Sequence, residues 1–209
     1  MQQQDINPDM NIKNPIPQYP VSIWEAILIF IGAIALMGTG LAWIGMRMFN
    51  NTFNPVRAEK VARSLVDYQI PGGSTGVLGL SIGAETFAIV KRDTEPSDVF
   101  LYVSKAPSDR MSEETPINLG DAIALENSIT GEFIFSDTYT EAKTLCNQAT
   151  QVTIQKGEQI DTTRNSTQPA IQYSARITDG HVQRVISIMA IGDNTQAKAE
   201  QVFNSIKCI

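Results

Sequence analysis

One histidine, two cysteines and no cationic stretch longer than Lys91-Arg92 leave this chain poor in the side chains that most chemistry uses. A zinc centre draws on three or four Cys, His or carboxylate ligands. Cys146, Cys208 and His181 fall in no ligand spacing, so neither a metal nor a cofactor is expected. A Cys–His nucleophilic pair would need a third, orienting group. Two cysteines are too few for a disulfide scaffold. A single Cys146–Cys208 bridge can form in an oxidising compartment, where it would tie the last residues to the domain body; two unpaired, half-buried thiols are the alternative. Only 18% of residues are charged, with a net charge of -6. Phosphate backbones call for clustered Lys and Arg, so no nucleic-acid partner is expected.

Phosphate-binding signatures are missing as well. No Gly-Lys-Ser/Thr follows the glycines Gly72, Gly73, Gly76, Gly79 and Gly83. They lie after an expected helix and among expected strands, the reverse of the dinucleotide fingerprint. Asp93, Glu95 and Asp98 form an oxygen-rich loop that invites Ca²⁺, but the spacing departs from the EF-hand pattern. Glu113-Glu114 sit in a polar loop and are expected to be solvated. His181 is expected on the surface beside a hairpin turn.

What the chain does have is an uncharged run, Ala26–Met46. As a helix at about 1.5 Å per residue it covers roughly 30 Å, the thickness of a hydrocarbon core. A cleaved secretory signal has a basic start and an apolar region of about 7–15 residues. This chain starts Met-Gln-Gln-Gln-Asp, and its apolar run is longer. The expectation is a permanent membrane helix over residues 21–48, in contact with the lipid bilayer. Trp24 and Trp43 fall near its ends, where amphipathic rings favour the interface. Glu25 falls near the positive end of the helix dipole. Lys13 precedes the helix, while Arg47, Arg57, Lys60 and Arg63 follow it. That imbalance predicts a cytoplasmic soluble domain. Gly38, Ala42 and Gly45 share one helix face, and their small-x-x-x-small spacing suits close packing against a second copy or another membrane helix.

Four prolines among polar residues make 1–20 an expected disordered tail. Asn54-Pro55 is a helix start, with Asn as N-cap and Pro at the first helical position. Ala58, Ala62 and Leu65 follow at helical spacing, giving an expected linker helix within 49–70 and a soluble domain over 71–209. Strands are expected at Gly76–Ile82, Thr86–Lys91, Val99–Ser104, Phe133–Phe135, Thr150–Ile154, Pro169–Ile177 and Val182–Ile191. Asp179-Gly180 marks a hairpin turn. Residues 107–120 are polar and expected as a loop, and Asp121–Asn127 as a short helix. Asp193 or Asn194 would cap a closing helix with Ala199, Phe203 and Ile206 on one face. The sum is an α+β fold, an N-terminal transmembrane helix followed by a soluble domain with a mainly antiparallel sheet packed by helices.

The passage Asn54-Pro55-Val56 … Asp67-Tyr68-Gln69-Ile70-Pro71-Gly72-Gly73 resembles a group of uncharacterised bacterial single-pass membrane proteins. In them a membrane helix leads through a short helix and a Pro-Gly turn into a sheet domain. The final hairpin and C-terminal helix are similar in element order to the PsbP-like α/β/α sandwich. The resemblance implies a fold and no activity. The expected function is therefore a membrane-anchored, non-catalytic interaction or accessory domain serving a membrane-protein partner. A membrane-tethered domain that binds a small molecule or lipid is the alternative.

Overall fold

Backbone hydrogen bonding at the start of the apolar run sets where the first helix begins. In the computed structural model, which describes residues 22–108, 132–161 and 165–209, Ser22 and Glu25 form a reciprocal capping box. Ser22 N donates to Glu25 Oε2 at 2.9 Å, and Glu25 N donates to Ser22 Oγ at 3.2 Å. Helix α1 runs from Ile23 to Thr52, longer than the expected 21–48. The tail at 1–20, residues 109–120 of the polar loop and the helix at Asp121–Asn127 lie outside the described residues. The chain divides into two units, Met1–Gly45 and Met46–Ile209.

Within the second unit, α2 spans Pro55–Leu65, and Asn54 Oδ1 accepts a hydrogen bond from Arg57 N at 3.1 Å. It is no free linker: Ala58, Ala62 and Leu65 are buried, and so are Val66, Tyr68 and Ile70 after it. The domain therefore begins upstream of the expected boundary at 71. The physical reason is a glycine seat on the neighbouring strand. A methyl group added to Gly79 would lie 2.6 Å from Ala58 Cα, and one added to Gly76 would strike the Pro55 carbonyl oxygen. Only hydrogen at both positions lets the helix backbone come this close.

The remaining elements are β1 (Val66–Asp67), β2 (Ser74–Ile82), β3 (Glu85–Arg92), β4 (Val99–Pro107), β5 (Glu132–Leu145), β6 (Gln148–Asp161), β7 (Ser166–Asp179), β8 (Val182–Ile191), α3 (Thr195–Ser205) and β9 (Lys207–Cys208). Seven strands form one sheet in the order β2-β3-β4-β8-β7-β6-β5, and β1 pairs separately with β9. Every pairing is antiparallel. The domain is an α+β fold. Two-residue turns close β2–β3 at Gly83-Ala84 and β7–β8 at Gly180-His181. Both glycines have φ of +59°, the left-handed value a II′ hairpin turn requires at its first central residue.

Strand alternation divides the apolar residues between two faces. One face gathers Ala88, Val90, Leu101, Val103, Ile171, Tyr173, Ile186 and Ile188 beneath Ala62 and Leu65 of α2 and Ala199, Val202 and Phe203 of α3. Helices α2 and α3 thus share a face. The opposite face carries Ile89, Phe100, Tyr102, Met189 and Ile191, with Phe53, Phe133 and Phe135 against them. β5 and β6 are far longer than their apolar cores at Phe133–Phe135 and Thr150–Ile154 indicated, each spanning 14 residues. Their pairing shifts register between Phe135 and Asp137. Asn194 precedes α3 but makes no side-chain cap; its backbone takes the left-handed conformation instead.

Replacing Gly79 with valine should destabilise the domain by about 1–3 kcal/mol, because α2 must lift from β2. Thermal unfolding of the full chain in detergent measures this. Gly40→Ala, whose added methyl meets nothing within 4 Å, should leave the domain transition in place.

Candidate functional site

The described residues offer a polar row on the sheet and a small-residue face on α1, rather than a converging set of reactive groups. Register brings Ser174 of β7 opposite Ser187 of β8, and their hydroxyls lie 2.9 Å apart. Gln172, two residues along the same face of β7, donates through Nε2 to Ser174 Oγ at 3.0 Å. Gln172 and Ser187 are buried, and Gln172 Oε1 has no hydrogen-bond partner among the described residues. Phe100 and Met189 lie in the same cross-strand row as Gln172. The row thus pairs apolar walls with an amide oxygen whose acceptor capacity is unused. Sequence reading passed over it, because Gln and Ser at alternate strand positions look like a solvated face.

On α1, Gly38, Ala42 and Gly45 are all exposed. A methyl added to Gly38 or Gly45 would meet nothing within 4 Å. Thr39 Oγ1, within the same stretch, lies 2.9 Å from Ala35 O and 3.1 Å from Leu36 O. Its one polar group is thereby satisfied inside the helix, as an apolar surrounding demands.

The residues singled out for chemistry are spread apart. Cys146 and Cys208 are joined as a disulfide with Cα atoms 5.1 Å apart. Neither sulfur is then a free nucleophile for His181, which sits exposed in the β7–β8 turn and accepts from Ser108 N through its carbonyl at 2.9 Å. Chain-entropy reasoning gives the 62-residue closure about 4 kcal/mol of stabilisation. The acidic loop does not converge on a cation site. Asp93 Oδ1 accepts from Thr75 Oγ1 at 3.0 Å, and Glu95 lies 3.6 Å from Lys91 Nζ. Asp98 bridges two other cations. Among the described residues, no group of three or more His, Cys, Asp or Glu side chains could hold a metal ion.

Asp98 links a strand and a helix through two ion pairs. Its Oδ2 lies 2.7 Å from Lys198 Nζ on α3 and 3.1 Å from Arg92 Nη1 on β3. The Asp98 carbonyl accepts from Ile191 N at 2.8 Å, so backbone and side chain tie β4, β8 and α3 together. Burial alone pushes the carboxyl up, but Lys198 and then Arg92 outweigh it and hold Asp98 below the usual carboxylate range. Two residues further along α3, Tyr173 Oη donates to Glu200 Oε1 at 3.3 Å. Burial first, and the Glu200 charge second, push the Tyr173 hydroxyl well up, keeping it a neutral donor. These are ties between elements, and pairing partners so distant in sequence leave no local pattern.

A carboxyl lowered on folding stabilises the domain above its unfolded-state value, about 4, and that contribution is lost as pH falls through the lower folded value. Asp98→Asn should therefore lower stability at pH 7 by about 1–3 kcal/mol and flatten the acid limb of the stability–pH curve. Urea unfolding at neutral and acidic pH measures both effects.

Neither a protein-family model nor a curated protein matches the chain, so what the site does must be argued from its own residues.

Proposed function

We propose that this is a single-pass membrane protein whose α+β domain is an accessory or interaction module for a protein partner at the membrane. One observation carries the reading. The stretch Ile23–Arg47 is long and apolar enough to cross a bilayer, and none of it is buried inside the protein. Leu28, Phe30, Leu36, Met37 and Leu41 are between 65% and 76% exposed. Each such side chain left in water forgoes about 1.5–3 kcal/mol, which a lipid surrounding would return. The face at Gly38, Ala42 and Gly45 then serves to dock a partner helix or a second copy. Only Phe53 and Asn54 separate α1 from α2, and α2 is built into the domain core. So short a junction supports a role close to the bilayer. The reading assigns the domain no reaction, and it aligns the chain with the uncharacterised bacterial membrane proteins it resembles.

A second reading, a tethered small-molecule or lipid binder, is favoured by the unused acceptor on Gln172. Mass analysis of the purified protein for a co-purifying ligand separates the two.

The full chain should stay with the membrane pellet through alkaline carbonate extraction, and Leu36→Arg, costing about 2.5–3.5 kcal/mol at the helix centre, should weaken that retention. Native-membrane crosslinking should recover a partner set that is lost when residues 1–48 are deleted. Identical partner lists would overturn the tethered-adaptor reading.

A further inference from the structure

The Cys146–Cys208 disulfide carries information on the side of the membrane that the domain occupies. Cys146 lies in the two-residue turn between β5 and β6, where Leu145 pairs with Gln148. Cys146 and Asn147 have φ of +54° and +61°. That is the I′ hairpin geometry, which favours Asn and Gly and is costly for a residue with a larger side chain. Cysteine at the first of these positions gains nothing from the turn itself. It does gain the bridge to Cys208, in a two-residue strand paired to β1 at Val66. Both cysteines pack against the main core cluster. The bridge therefore fastens the carboxyl end of the chain to the tip of a hairpin 62 residues earlier. So short a terminal ladder is prone to fray unless tied down.

Bonds of this structural kind form and persist where the surroundings are oxidising, and cytosolic thiol buffers keep such pairs reduced. Arg47, Arg57, Lys60 and Arg63 favour the opposite, cytoplasmic side. Arg63 lies within the folded domain, is bound to Glu59 at 3.0 and 3.2 Å, and stands over the Tyr68 ring at 4.8 Å. Cations incorporated in a folded domain carry less weight than those in a short flanking loop, because long segments translocate largely regardless of charge.

We infer that the α+β domain matures and works on the oxidising, non-cytoplasmic side of the membrane, with Cys146–Cys208 as a permanent clamp. This rests on the membrane-anchor reading and specifies it: the partner must expose its docking surface on that same side.

The test uses the unmodified full chain in living cells. Cells are quenched in acid, and free thiols are tagged with a polyethylene-glycol maleimide before or after reduction. The expected result is no gel shift until reduction and a two-tag shift after it. In a second arm, intact cells are reduced and labelled with a membrane-impermeant maleimide, which should reach both cysteines. Two tags without reduction, or labelling only after the membrane is opened, would overturn the inference. Carbonate fractionation of the same cells keeps the two readings apart. An oxidised chain released from the membrane removes the anchor and leaves the clamp's compartment standing, whereas a reduced chain retained in the membrane does the opposite.

Discussion

Backbone-to-backbone contact between α2 and β2 is the constraint on which the rest of the arrangement turns. Gly76 and Gly79 let Ala58 and the Pro55 carbonyl approach the strand more closely than any side chain would permit. That approach makes α2 a wall of the core instead of a spacer. Only Phe53 and Asn54 separate the end of α1 from this core helix.

The clearest local patterns in the sequence were those with a single strong physical cause. Asn54-Pro55 starts a helix because one residue caps and the next has no amide hydrogen to leave unpaired. Gly83 and Gly180 mark turns because left-handed backbone is cheap only there. Alternation located β7 and β8, and apolar β-prone runs located β3 and β4, whose central residues are buried on both faces.

Other features were illegible for equally physical reasons. β5 is largely exposed, so beyond Phe135 it carries Thr, Asp, Glu and Lys without an apolar rhythm. α2 buries alanines more than large residues, and the signal that it belongs to the core lies in glycines some twenty positions later. The capping box at Ser22 and Glu25 was present as Ser-x-x-Glu but was overshadowed by the apolar run behind it. The Arg92–Asp98–Lys198 tie and the Gln172–Ser174–Ser187 row join residues from different strands or helices. Only register and packing reveal them. Asn194 marked the right boundary through a different mechanism, a left-handed backbone in place of a side-chain cap.

The two outer strands of the described sheet, β2 and β5, bear on how copies of the chain would meet. Bare strand margins template runaway sheet growth. Here one terminal strand lies under α2, and the other is broken by a bulge and studded with Asp137, Glu141 and Lys143. Fusion of two copies sheet edge to sheet edge is disfavoured on both sides of the sheet.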